Sequence, residues 1–245
     1  MLIEHGANVN ARDNYGNTPL SNAIVGGRVD VVKLLIKHGA KLNTKNERGQ
    51  TPFLSAVSRG HPELVRLLIE NGAKINAKNR KGQTPLFVVA ERDYTEIVQL
   101  LLEKGADVNS RDDRGQTPLF KTTYHGAQEM TELLIGNGDQ VNAKTRNGQS
   151  ALFKTAEKGK LGIVKLLIEK GADVNIKNDR GETPLFMASR RGYVDVARIL
   201  IEHGAAVNMN NSRGKSPTSQ ALKYDHRDVI DLLRKYRTGE GVTTR

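Results

Sequence analysis

The triplet Gly214-Lys215-Ser216 has residue types that could bind a phosphate group, because it matches the end of a phosphate-binding loop. In such a loop the backbone N–H groups surround the phosphates and the lysine reaches the terminal ones. The motif also requires a glycine five residues before Gly214, and Met209 occupies that position. A Gly-x-Ser/Thr triplet recurs at regular intervals along the chain. We therefore interpret this one as a structural turn and not as a nucleotide site.

The histidine and cysteine content of the chain predicts no metal site and no catalytic site. The chain has no Cys, which excludes disulfides, thiolate metal sites and cysteine nucleophiles. Five of the six histidines recur at two repeated positions: His5, His38 and His203 at one, His61 and His226 at the other. His125 alone departs from this pattern, and a single His makes neither a zinc site nor a catalytic pair. The sequence therefore predicts no catalytic residue, no metal site, no cofactor and no enzyme activity.

A repeat of 33 residues, without insertions, positions all these residues. Two glycine series and one asparagine series keep the period over seven units. The first runs Gly16, Gly49, Gly82, Gly115, Gly148, Gly181, Gly214; the second runs Gly6, Gly39, Gly72, Gly105, Gly138, Gly171, Gly204; the third runs Asn10, Asn43, Asn76, Asn109, Asn142, Asn175, Asn208. Such self-similarity is typical of proteins that stack small structural units.

Each unit predicts a short helix, a turn, a second helix and an extended loop. Gly16 supplies the positive φ of a tight turn, Thr18 caps a helix N-terminus and Pro19 suits its first position. After a glycine break, apolar residues at helical spacing over 29–38 predict the second helix, which Gly39 ends. Neither helix is long enough to be stable alone, so each must bury its apolar face against a neighbouring unit.

These units resemble the ankyrin repeat. The motifs that carry the resemblance are Gly82-Gln-Thr-Pro-Leu86, Leu100-Leu-Leu-Glu-Lys-Gly-Ala106 and Val108-Asn109. The resemblance implies an all-α ankyrin-repeat solenoid, elongated and slightly curved, with a helix-turn-helix and an extended β-hairpin-like loop in each repeat. It also implies that partners bind at the turn tips and the concave face lined by first helices. The expected function is therefore a non-catalytic scaffold for protein–protein interaction.

The predicted array covers residues 1–237 and is followed by a flexible tail at 238–245. A partial unit at 1–12 precedes six full units and a more polar C-terminal cap: 13–45, 46–78, 79–111, 112–144, 145–177, 178–210, and the cap 211–237. We expect further repeats before residue 1, because the apolar face of the unit 13–45, with Leu20, Leu34 and Leu35, has no full neighbour to cover it.

Other repeated positions have two readings or depart from the pattern. One phenylalanine recurs in each of four units: Phe87, Phe120, Phe153 and Phe186. We interpret these side chains as packing between first helices, in preference to an exposed aromatic platform. The Asn series predicts hydrogen bonds to the turn of its own or the next unit. Unit 112–144 is predicted to be the weakest layer, because Gly136 falls within its second helix and Asp139-Gln140 interrupts the motif.

Positive charge is concentrated on six columns of the repeat, which we call the recognition columns: the second, third, fifth, thirteenth, fourteenth and last residue of each unit. The chain has a net charge of +11, with 38 basic and 27 acidic residues. Twenty of the basic residues but only six of the acidic ones lie in these columns. The predicted partner-binding residues are Arg12, Lys45, Arg48, Arg59, Lys78, Arg80, Lys81, Arg92, Arg111, Arg114, Tyr124, His125, Lys144, Arg146, Lys158, Lys177, Arg180, Arg190, Arg191 and Arg213.

Two classes of partner fit such a surface, and we favour a protein with an acidic segment or surface. The alternative is a nucleic acid or another polyanion, since non-specific nucleic-acid grooves interleave basic residues with exposed aromatic ones. Only scattered tyrosines do so here, and acidic residues interrupt the tips at Glu47, Asp113, Asp179 and Glu182. No apolar run is long enough to span a membrane, so we predict no membrane contact. We also expect the protein to be a monomer. Its predicted location is the cytoplasm, with the nucleus or a host-cell cytosol as alternatives.

Overall fold

The computed structural model describes residues 5–92, 94–125 and 127–237, with the side chain of His125 left out. Residues 1–4 of the predicted partial unit and the predicted flexible tail at 238–245 lie outside the described residues. The described residues form fourteen α-helices in seven consecutive pairs and contain no β-strand. The all-α prediction is therefore confirmed.

The first helix of each pair is short and the second is a little longer. The first helices are α1 (Pro19–Val25), α3 (Pro52–Arg59), α5 (Pro85–Val89), α7 (Pro118–His125), α9 (Ala151–Lys158), α11 (Pro184–Arg191) and α13 (Pro217–Lys223). The second helices are α2 (Val29–Lys37), α4 (Pro62–Glu70), α6 (Thr95–Glu103), α8 (Gln128–Gly136), α10 (Leu161–Glu169), α12 (Val194–Glu202) and α14 (Arg227–Arg237).

Each first helix begins directly after a threonine or serine that caps its N-terminus. Thr84 Oγ1 accepts a hydrogen bond from the Phe87 N–H (3.3 Å), which satisfies one of the backbone donors that a helix start leaves unpaired. Ser150 does the same for Phe153 (3.1 Å), although Ala151 replaces the usual proline. A serine is thus sufficient at this position, because the cap needs only the hydroxyl.

The helices pack in two compact units, Met1–Asp113 and Arg114–Arg245. In the first unit, α1 packs on α3 and α3 on α5, while α2 packs on α4 and α4 on α6. In the second unit the first helices α7, α9, α11 and α13 form one layer in chain order, and α8, α10, α12 and α14 form the other. Within each unit the core therefore runs as a continuous band between two helix layers.

The repeated phenylalanines belong to this core. Phe87, Phe120, Phe153 and Phe186 are at most 5% exposed, and Phe153 forms a buried cluster with Phe186 and Met187. The packing interpretation is confirmed, so these rings cannot provide a platform for bases.

The repeated asparagines connect consecutive repeats. Asn142 donates from Nδ2 to the Gly171 carbonyl (3.1 Å) and accepts the Asp173 N–H at Oδ1 (2.8 Å). The same pair of bonds is formed by Asn10, Asn43, Asn76 and Asn175. The side chain thus satisfies the backbone groups that follow the second helix of the next repeat, which confirms the predicted role.

Two expectations need correction. Gly136 is the last residue of α8, not an interior one, and Asn137 follows it as the C-cap. The expectation of an uncovered face was wrong for Leu20 and Leu35, which are buried, since α1 packs on both α2 and α3. Leu34 is half-buried.

Candidate functional site

In five repeats, the side chain of the first residue holds the loop tip in shape. Asn178 Oδ1 accepts the N–H groups of Arg180 (3.0 Å) and Glu182 (2.9 Å), which closes the turn around the side chain. Asp13, Asn46, Asn79 and Asn211 make the same two-bond turn. The turn therefore fixes the backbone of the third residue of the repeat, and the basic side chains of this third column, such as Arg180, are exposed at the tip.

Successive tips within a unit lie close enough to bond through their backbones. The Ser212 N–H donates to the Arg180 carbonyl (2.9 Å), and the Arg146 N–H donates to the Arg114 carbonyl (2.9 Å). A Cβ atom on residue 148 would lie 2.7 Å from the backbone nitrogen of Asp179. The φ of Gly148, +71°, also disfavours any other residue. Glycine is required there because the next tip approaches so closely. The loops are hairpin-like in shape, with one backbone hydrogen bond between neighbours and no strand within the described residues.

The structure exposes nearly all the predicted partner-binding side chains that it describes. In the unit Met1–Asp113 these are Arg12, Lys45, Arg48, Arg59, Lys78, Arg80, Lys81, Arg92 and Arg111, all exposed. In the unit Arg114–Arg245 they are Arg114, Tyr124, Lys144, Arg146, Lys158, Lys177, Arg180, Arg191 and Arg213, also exposed, and the half-buried Arg190. The side chain of His125 lies outside the described residues. In both units the residues come from the tips, from the segments leading into them, or from the C-terminal ends of first helices.

Some of these cations have structural partners. Arg12 donates from Nη2 to the Lys45 carbonyl, and Lys78 donates from Nζ to the Arg111 carbonyl (3.0 Å). The last-residue column thus also connects one repeat to the next.

The first-helix ends contain tyrosines covered by cations. The Nζ atoms of Lys154 and Lys158 lie 5.3 and 5.1 Å from the ring centroid of Tyr124, which is within range of a cation–π interaction. Tyr224 has Lys223 at 5.2 Å and the Arg190 guanidinium at 6.0 Å. Our sequence-based set omitted Lys154, Lys223 and Tyr224. Lys223 and Tyr224 lie in the thirteenth and fourteenth columns, so the repeat pattern could have identified them. Lys154 lies outside the columns and no sequence signal marked it.

Among the described residues, no group of three or more His, Cys, Asp or Glu side chains is arranged to hold a metal ion. None of the described helices combines the length and the apolar character needed to cross a membrane.

The comparisons with known proteins agree with this architecture of paired helices and exposed tips. The family model described as "Ankyrin repeats (3 copies)" matches residues 42–112, 106–178 and 162–244, and "Ankyrin repeats (many copies)" matches residues 2–54. One similar solved structure is the ankyrin repeat domain of Bcl-3, described as a unique member of the IkappaB protein family. It is 33% identical, with a TM-score of 0.80, and the match covers 89% of this chain and 99% of that one. Among curated proteins, none matches this chain.

The chain consists of capped helix pairs that pack on one another and are joined by glycine-dependent tips. These features place it in the class of helical repeat proteins. Within that class, the chain belongs to the ankyrin repeat family. Ankyrin repeats generally mediate protein–protein interaction and are typically non-catalytic binding scaffolds.

Proposed function

We propose that this chain is a monomeric, non-catalytic module that binds a protein partner with an acidic segment or surface through its basic recognition columns. The observation that carries the proposal is the row of exposed cations at the third position of successive tips. In the first unit these are Arg48 and Lys81, and in the second they are Arg114, Arg180 and Arg213. The closed turns beneath them hold the backbone in place before any partner arrives, which lowers the entropic cost of binding.

Charges on the second helices contrast with this surface. Lys33 lies 3.8 Å from Glu63, and Arg66 lies 3.0 Å from Glu96 in the next repeat. These two basic residues are thus paired with acidic ones across the repeat boundary. The excess of positive charge therefore faces a partner on the tip side, where complementary charge raises the association rate and selects the partner.

A nucleic acid is the second candidate partner, favoured by the exposed Tyr124 and Tyr224 beside their lysines. Bases could stack on such rings. Against this, the phenylalanines are buried, and Glu47 and Asp179 interrupt the tips with negative charge. An acidic protein segment fits this mixture of basic and acidic tips better, because it can place its negative charges opposite the basic side chains alone.

The test is affinity capture from a cell lysate, with and without nuclease, by two variants of equal net charge. Arg48→Glu/Lys81→Glu reverses two tip cations, whereas Lys165→Glu/Arg198→Glu reverses two exposed second-helix cations. Exposed charge contacts contribute up to about 1 kcal/mol each, so we expect the first variant to lose about tenfold in capture of the partner and the second to lose little. Equal capture by the two variants would contradict the proposal, and loss of capture after nuclease would favour the nucleic-acid alternative.

A further inference from the structure

A groove with a volume of about 690 Å³ lies within the unit Arg114–Arg245, between the last two first helices, α11 and α13, and the tips that precede them. Its lining has an unusual balance of charge. Five basic side chains and two acidic ones face it: Arg180, Arg190, Arg213, Lys215 and Lys223, with Asp179 and Glu182.

The two carboxylates do not neutralise the five cations. Glu182 is buried, and its Oε2 accepts a hydrogen bond from Asn178 Nδ2 (2.9 Å) within the tip. None of the five cations forms an ion pair with a carboxylate anywhere in the part of the chain that the structure describes. Like charges gathered in one concave site repel one another, and a bound anion relieves that repulsion.

Tyr224 brings a hydroxyl group to the same place. The Arg190 guanidinium lies 6.0 Å from its ring centroid and Lys223 Nζ lies 5.2 Å from it. A hydrogen bond from Arg190, together with the positive charges of Arg190 and Lys223, holds the pKa of the Tyr224 hydroxyl below its usual range. The O–H is therefore a better hydrogen-bond donor to an anion than an ordinary tyrosine.

The preceding repeat provides an internal comparison. Glu157 occupies the position of Arg190 one repeat earlier, and it pairs with Lys154 (2.6 Å) and Arg191 (3.5 Å). The fold thus accepts an acidic residue at this position, where it neutralises its neighbours. The repeat pattern therefore does not require an arginine at the next copy of the position, and Arg190 meets no carboxylate among the described residues.

We propose that this groove binds a phosphomonoester dianion carried by a side chain of the protein partner, an inference that rests on the function proposed above. A phosphorylated side chain brings a charge of about −1.5 to −2 and three strong acceptor oxygens, which suits several convergent cations better than a single carboxylate does. The guanidinium of Arg190 can donate two parallel hydrogen bonds to such a group, and the Tyr224 hydroxyl and Lys223 can reach its other oxygens.

A nucleic acid fits this groove less well than a phosphorylated side chain. Its phosphodiesters carry one charge each and must follow one another along the surface. A strand that passes the tips meets Asp179 beside Arg180, whereas a single phosphate can dock at Arg190 and Lys223 alone.

The test compares fluorescent Gly/Ala peptides that differ only at one central residue: phosphoserine, serine or aspartate. We expect the phosphoserine peptide to bind at least about tenfold more tightly than the other two, the difference that one strong charge-assisted hydrogen bond provides. Arg190→Glu, which restores the acidic residue of the preceding repeat, should remove this preference, as should Lys223→Gln. The control Lys165→Glu/Arg198→Glu should keep it. Circular dichroism melting shows whether each variant is folded, and Arg190→Gln replaces Arg190→Glu if the latter is not.

Three outcomes overturn the inference. Equal binding of the phosphoserine and aspartate peptides would mean that the groove recognises negative charge in general. Competition by inorganic phosphate at the peptide's own concentration would assign the site to a free anion, and tighter binding of a 5′-phosphorylated oligonucleotide would assign it to nucleic acid. If partner capture still depends on Arg48 and Lys81 in any of these cases, the function proposed above stands without the phosphate site.

Discussion

Glu157 in α9 joins two cations from neighbouring repeats of the second unit. Its half-buried carboxylate lies 2.6 Å from Lys154 Nζ and 3.5 Å from Arg191 Nη2. Burial by itself raises the pKa of Glu157, but the hydrogen bond and charge of Lys154, and then those of Arg191, lower it below the usual value. The ionised form is therefore favoured in the folded protein.

This shift predicts a pH-dependent contribution to stability. A carboxyl group whose pKa is lowered by folding stabilises the protein above its unfolded pKa, about 4.3 for glutamate, and loses that effect as the pH falls through the folded pKa. We expect Glu157→Gln to lower the free energy of unfolding at pH 7 by at most about 1 kcal/mol, because the pair is partly solvated. The difference from wild type should vanish in strong acid.

Urea unfolding of both proteins at a series of pH values measures this difference. Glu169→Gln, which alters an exposed glutamate on α10, is the matched control and should show no such trend. A destabilisation by Glu157→Gln that is the same at pH 7 and at low pH would assign the effect to packing and not to charge.

At the scale of the helix, Gly136 ends α8 where α10 and α12 have Glu169 and Glu202. It is exposed, its φ is not positive, and a Cβ at this position would meet no atom within 4 Å. Alanine can therefore be accommodated without strain.

Gly136→Ala should consequently stabilise the protein. Glycine costs up to about 1 kcal/mol relative to alanine in a helix, and the cost is smaller at the last residue. We therefore expect the free energy of unfolding to increase by roughly 0.5 kcal/mol. The urea midpoint should rise without a change in slope. A lower midpoint would show that the helix end needs a backbone conformation that alanine resists.

The pair α7–α8 has a more polar interior than its neighbours in the second unit. Thr122 and Thr131 are fully buried, and Thr131 Oγ1 donates to Thr122 Oγ1 (3.0 Å). One repeat later, Val164 takes the place of Thr131. The threonines are satisfied by hydrogen bonds, but they contribute less apolar burial than valine.

Hydrogen exchange should therefore be fastest at this pair among the interior repeats of the second unit. We expect the backbone amides from Met130 to Asn142 to be less protected than the corresponding amides of α10 and α12, because a stack of repeats opens at its weakest layer. Uniform protection across these three repeats would contradict the prediction. Thr131→Val should slow exchange in α8 if the polar interior is the cause.

At the scale of the whole molecule, the net charge of +11 implies that binding depends strongly on salt. Surface charges are screened over about 10 Å at 0.1 M salt and about 3 Å at 1 M. We expect partner capture to fall several-fold between these concentrations while the urea midpoint changes little, since exposed ion pairs such as Lys33–Glu63 contribute little to the fold. Capture that is insensitive to salt would indicate an apolar interface and would contradict the basic-column proposal.

Much of the fold follows from local rules, which is why the sequence predicts it. Thr84 caps a helix and Gly148 turns a tip because of conformational preferences that act within a few residues. The strict period of 33 then repeats each local solution, so the buried phenylalanines and the bridging asparagines could be predicted from one unit. Gly136 was misjudged because helix ends are set by capping geometry, which is the least certain feature of a sequence pattern.

By itself, the sequence determined the family, the capped helix pairs and the columns in which positive charge collects. Only the tertiary structure decided which of those charges are balanced. Lys78 reaches the Arg111 carbonyl and Arg191 reaches Glu157, whereas Arg190 and Lys223 meet no carboxylate among the described residues. These pairings join residues about one repeat apart, and they depend on how far a long side chain extends across the boundary between layers. Periodicity assigns a residue to a column, but the distance between two side chains is set by the packing of neighbouring repeats.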